Sequence, residues 1–113
     1  MSTDPREALT ARAAALRERV ERHGSEAAAL RRQLGAEVTD DEHDPEGTTL
    51  SAGWSMLEGT RRQEAAELAE VDAALTRLDD GSYGICERCG QPIPAERLHV
   101  RPTARRCVPC VER

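Results

Sequence analysis

Apolar positions in the first third of the chain recur in alternating steps of three and four. Ala13, Leu16, Val20, His23, Ala27, Leu30 and Leu34 form this seam. It is the spacing of a helix that packs lengthwise against another helix. Asp4-Pro5-Arg6-Glu7 supplies the start. Asp4 suits the N-cap, Pro5 the first helical position, and Glu7 the third, where a capping box wants an acid. The pattern runs to about Ala36. Gly24 interrupts it at about 1 kcal/mol relative to alanine, marking a weak point or a close approach by a partner helix. His23 is expected to pack on the seam with its polar edge turned out.

The seam resumes at Leu57, Leu68, Val71, Leu75 and Leu78, with Arg61 and Glu64 as polar interruptions. This second helix is expected to begin between Ser51 and Ser55 and to run to about Asp79. Gly81 then fits the left-handed position that closes a helix. Trp54 reads as a local packing anchor. Neither helix can bury its seam alone, so the two should fold back as an antiparallel hairpin. An arm of about 25 residues at ~1.5 Å each would reach ~38 Å. Residues 37–50 link the helices, broken by Pro45 and Gly47 and dense in acids.

Composition narrows the picture. The 113 residues include no Phe, one Trp and one Tyr, and much of the apolar content is alanine. A chain of this size and make-up is not expected to enclose a deep pocket. Net charge is −5, unevenly spread. Residues 36–50 carry six acids and no arginine, whereas residues 84–113 carry six arginines and three acids. The overall sign argues against non-specific DNA binding. The first 20 residues lack the apolar run of a signal peptide, and no stretch has the length of a membrane span. A cytoplasmic monomer is expected, with the seam satisfied within one chain.

Four cysteines stand near the C-terminus, as Cys86-Glu87-Arg88-Cys89 and Cys107-Val108-Pro109-Cys110, with 17 residues between the pairs. Two tight turns, each offering two sulfurs, suit one tetrahedral zinc ion. A redox dithiol or two disulfides would use the same residues, but paired C-x-x-C motifs at this spacing favour the metal. Four thiolates leave no open position, so the ion would be structural. Reduced thiols agree with the cytoplasm. Gly90 is expected at positive φ, Pro109 stiffens the second turn, and four sulfurs leave His99 unneeded as a ligand. Tyr83, Ile85, Ile93, Leu98 and Val100 are the apolar candidates around the ion. Pro92, Pro94 and Pro102 predict mostly turn and extended chain between the pairs.

The expected fold is therefore mostly α. Residues 1–79 form an antiparallel coiled-coil hairpin with an acidic tip loop at about 37–50, and residues 80–113 form a small zinc finger.

The run Asp80-Gly81-Ser82-Tyr83-Gly84-Ile85-Cys86, Cys89-Gly90, Ile93-Pro94, Arg97-Leu98, Arg101-Pro102 and Cys107 with Cys110 closely resembles the DksA/TraR zinc-finger family. The likeness covers about residues 78–111 and extends well beyond the cysteines. It implies a bacterial regulator of transcription initiation that binds RNA polymerase rather than DNA. In that family the helical arm enters the polymerase secondary channel, and acids at its tip approach the catalytic region. Carried over, zinc would sit on Cys86, Cys89, Cys107 and Cys110. The tip would comprise Asp40, Asp41, Glu42, Asp44 and Glu46. Asp44 matches the first of two family aspartates three apart, and Gly47 stands at the second. Arg97, Arg101, Arg105 and Arg106 would meet the polymerase rim, or else offset the negative charge of the thiolate centre.

Two other functions fit the same scaffold, a zinc-stabilised protein-interaction adaptor and a thiol redox or stress sensor. No nucleophile–base constellation suggests an enzyme.

Overall fold

The computed structural model describes residues 4–37 and 45–111. Four helices follow one another: α1 (Pro5–Glu37), α2 (Pro45–Asp80), α3 (Ala95–Val100) and α4 (Val108–Val111). α1 starts as its sequence dictates, with Asp4 Oδ1 accepting the Arg6 N–H at 3.0 Å. α2 closes at Gly81, which takes φ +84°. Ser82 N–H and Tyr83 N–H both donate to the Arg77 carbonyl, at 3.0 and 3.1 Å. The Ser82 bond spans the six residues of a Schellman cap and satisfies a carbonyl the helix leaves open.

α2 begins earlier than the sequence pattern suggests. Pro45–Leu50 are helical, so the loop gives up these residues on the α2 side. Gly47 and the two threonines read as breakers, yet Pro45 at the first helical position has no N–H to leave unsatisfied.

The chain gathers into two compact units, each containing a stretch of both long helices. One takes the residues up to Ala14 together with those from Leu68 onward. Here the start of α1 lies beside the end of α2, with Arg6 Nη1 2.9 Å from Asp79 Oδ1. Leu9, Ala13, Val71 and Ala74 are buried. Leu9 and Ala74 extend the apolar face beyond the seam read from the sequence.

The other unit, Ala15–Glu67, pairs the helices through Leu16, which is 0% exposed, and Ala27 at 1%. Gly24 lies against α2, since a Cβ there would stand 3.5 Å from the Arg61 side chain. Gly53 faces Leu30 in the same way, at 3.7 Å. Both glycines thus sit where the opposite helix comes close. The seam's polar members are not turned to water. His23 Nδ1 lies 2.6 Å from Glu64 Oε1, and both side chains are largely buried. Trp54 is half-buried, with the Arg31 guanidinium 5.7 Å from its ring centre.

No helix among the described residues is long and apolar enough to cross a membrane.

Candidate metal centre

The first cysteine pair rides on a short hairpin. Ile85 and Pro92 form an antiparallel bridge, and Ile93 N–H donates to the Gly84 carbonyl at 2.7 Å. Within it, Cys86 N–H donates to Gln91 O, and Gly90 N–H donates back to Cys86 O at 2.9 Å. Gly90 closes this turn at φ +75°, as its place after Cys89 predicts. Gly84 takes φ +82°, and a Cβ there would touch the Leu98 side chain at 3.4 Å.

The second pair opens α4. Cys110 and Val111 N–H groups both donate to Cys107 O at 3.1 Å. Cys86, Cys107 and Cys110 are buried, and Cys89 is exposed. All four Sγ atoms lie within 4.8 Å of one another. Cys89 and Cys107 sulfurs are 3.7 Å apart. A zinc ion with Zn–S bonds of ~2.3 Å sets tetrahedral S···S edges of ~3.8 Å, so the cluster has the dimensions of a four-thiolate zinc site.

The electrostatics favour a first thiolate at Cys86. Burial pushes its thiol up, but N–H groups of Cys107, Cys89 and Arg88 outweigh that and bring it from 9.0 to about 6. Cys110 is driven the other way, to about 12, by hydrogen bonding with Cys107, by burial and by the other sulfurs. Four sulfurs this close cannot all ionise without a cation among them.

Ile93 is buried against the cysteines, with Leu98 packed on them. Two expected core members are not there: Ile85 is 42% exposed and Val100 79%. Ile85 lies on the outward side of its hairpin, and Val100 ends α3. That helix is a second departure, since six residues after Pro94 coil where turn and extended chain were expected. Its opening turn is closed by Leu98 N–H on Pro94 O at 3.1 Å. Tyr83 is half-buried, and its hydroxyl donates to Pro102 O at 2.8 Å. His99 lies outside the sulfur cluster, on an apolar groove of about 720 Å³ also lined by Ala8, Tyr83, Leu98 and Val100.

Three of the four arginines singled out from the sequence are engaged within the protein. Arg97 Nε donates to Arg106 O at 2.9 Å. Arg106 Nε reaches Glu87 Oε1 at 3.4 Å. Arg105 grips Glu70 on α2 through Nε at 2.9 Å and Nη2 at 3.3 Å. Arg101 is exposed and has no side-chain partner among the described residues. Nearby, Arg77 Nη2 donates to Thr103 O at 3.3 Å, while Nη1 is buried without a hydrogen-bond partner among the described residues. Sequence spacing gave no sign of Glu70 or Arg77, whose partners lie 35 and 26 residues away. The tip acids Asp40, Asp41, Glu42 and Asp44 lie outside the described residues, as does the side chain of Glu46.

Residues 81–113 match the family model of the prokaryotic dksA/traR C4-type zinc finger. The structure is similar to that of transcription factor DksA2 from Pseudomonas aeruginosa, with a TM-score of 0.77 and 30% identity over 96% of this chain and 78% of that one. The RNA polymerase-binding transcription factor DksA of Caulobacter vibrioides is 46% identical over 54 residues, which is 48% of this chain and 38% of that protein. The corresponding factor of Haemophilus influenzae is 32% identical over 74 residues, 66% of this chain and 51% of that protein. The chain thus spans about two fifths to one half of the length of these two curated relatives. With the zinc-finger match, the sulfur geometry assigns one structural zinc ion to Cys86, Cys89, Cys107 and Cys110.

Proposed function

This chain belongs to the DksA/TraR zinc-finger family, and from that membership we propose that it binds bacterial RNA polymerase and modulates transcription initiation. The observation that carries the proposal is the likeness to DksA2 across 96% of the chain. In this reading the paired helices enter the polymerase secondary channel. The acids at 40–46 then act on basic groups or magnesium near the catalytic centre. The protein works in the cytoplasm as a monomer, touches polymerase rather than DNA, and catalyses nothing itself. Zinc is structural, because four sulfurs leave no coordination position open. Of the arginines, Arg101 is exposed and without a side-chain partner among the described residues, which supports a role for it at the polymerase rim.

The test is binding of the zinc-loaded protein to core RNA polymerase, with initiation assayed for wild type and the Asp44→Asn/Glu46→Gln variant. Binding with a tip-dependent change in transcription is expected. Absence of binding overturns the proposal. Binding without a tip effect removes the channel step and leaves the docking.

The exposed groove beside Tyr83 and Val100 favours one second reading, a protein-interaction adaptor on the same scaffold. Under that reading the tip variant binds its partner normally, and Val100→Asp does not.

A further inference from the structure

The two cysteine pairs are far apart in sequence, and something must hold their turns at the spacing zinc requires. Arg105 is built into that junction three times over. Its carbonyl accepts the N–H of Glu87, the neighbour of Cys86, at 2.9 Å. Its guanidinium takes both carboxylate oxygens of Glu70 on α2. A third nitrogen, Nη1, lies 3.8 Å from Glu87 Oε2. Arg105 itself stands two residues before Cys107. One residue therefore touches the first cysteine turn, leads into the second, and fastens both to a long helix. The neighbouring carbonyl, Arg106 O, is held by Arg97.

We propose that the Arg105–Glu70 pair is a latch that positions the Cys107 turn against the Cys86 turn and so sets how long the protein keeps its zinc. A guanidinium fork on a carboxylate fixes direction as well as distance, which a point charge does not. Groups that orient metal ligands commonly govern metal retention as strongly as the ligands' own surroundings do. The side chains are partly exposed, at 37% and 50%, so salt weakens the latch. Arg105 and Glu70 are positioning residues, and the inference stands apart from the polymerase reading.

The test uses the full zinc-loaded chain and a chromogenic chelator that takes up released zinc. Release is timed at low and high salt for wild type, Arg105→Gln, Glu70→Gln, the double variant and Arg101→Gln. Each latch variant should lose zinc about fivefold to tenfold faster at low salt. The double variant should be no faster than either single one, and Arg101→Gln should match wild type. High salt should accelerate wild type towards the variants and move the variants less than it moves wild type. Arg105→Lys, which keeps the charge and loses the fork, should fall between. Wild-type release from both single variants overturns the proposal, as does a double variant whose acceleration is the product of the two. If Arg105→Gln does not fold, Glu70→Gln decides alone, since it leaves the cysteine loops untouched: release at the wild-type rate overturns the latch.

Discussion

His23 on α1 and Glu64 on α2 meet at 2.6 Å, 41 residues apart in sequence, on the apolar face that pairs the two helices. Each fills a seam position that would ordinarily hold a leucine, and each gives the other its polar partner. Removing one leaves the other largely buried and unsatisfied, at about 1–3 kcal/mol. We therefore expect His23→Ala and Glu64→Ala each to lower the melting temperature clearly. His23→Leu/Glu64→Leu should melt at or above wild type, because the apolar pair leaves no polar atom unmatched. A double variant less stable than both singles would contradict this account.

Leu16 is the largest completely buried side chain of the helices, at 0% exposure. Leu16→Ala should cost about 3 kcal/mol through lost burial and the cavity left behind. Chemical denaturation of the zinc-loaded protein measures it.

Gly90 holds φ +75° with open space where a Cβ would stand. Gly90→Ala therefore meets no clash, and its cost is the backbone conformation alone, about 1–2 kcal/mol. Because that turn carries Cys86 and Cys89, the loss should appear as weaker zinc binding in a chelator competition.

The metal-free protein should be sensitive to pH in two directions. Cys86 is held at about 6, below the ordinary 9.0, so its thiolate stabilises the fold fully above pH 9 and loses that effect as pH falls towards 6. Cys110, pushed up to about 12, contributes fully below pH 9 and loses its contribution as pH rises towards 12. Titrating thiolate absorbance in the stripped protein should show the first ionisation near 6. Zinc replaces the protons and flattens both limbs until acid competes for the sulfurs.

Tyr83 should matter through its hydroxyl. Tyr83→Phe removes the 2.8 Å bond to Pro102 O and should cost about 1 kcal/mol. Burial pushes this hydroxyl's pKa up from 10.0. Its contribution is complete below pH 10 and is lost as alkali ionises it. Melting curves of the two proteins should therefore converge at high pH.

The sequence made legible what rests on short-range chemistry. Asp4 and Pro5 define the first helix start, Gly81 the end of the second, and four cysteines the metal. It misled where a local signal met a larger context. Gly47 and two threonines look like loop, yet α2 runs through them from Pro45. α3 is too short for its period to show. Ile85 and Val100 look like core because they are apolar, but a small metal module has one inner face, which the cysteines, Ile93 and Leu98 already fill. Pairs such as Arg105 with Glu70, or His23 with Glu64, are invisible to spacing because their partners come from other elements.

Among the described residues, half of the buried side chains on the long helices are alanine: Ala13, Ala27 and Ala74, beside Leu9, Leu16 and Val71. An alanine face offers few knobs for the opposite helix to catch on. Where an alanine meets the opposite helix, axial slippage therefore meets little steric resistance. Within each unit bulkier contacts resist it: Val71 in one, and Leu16, the Leu30–Gly53 contact and the histidine–glutamate pair in the other. Substitutions at those contacts therefore shift which residues of α1 and α2 stand opposite one another, and such a change of register need not appear in the melting point.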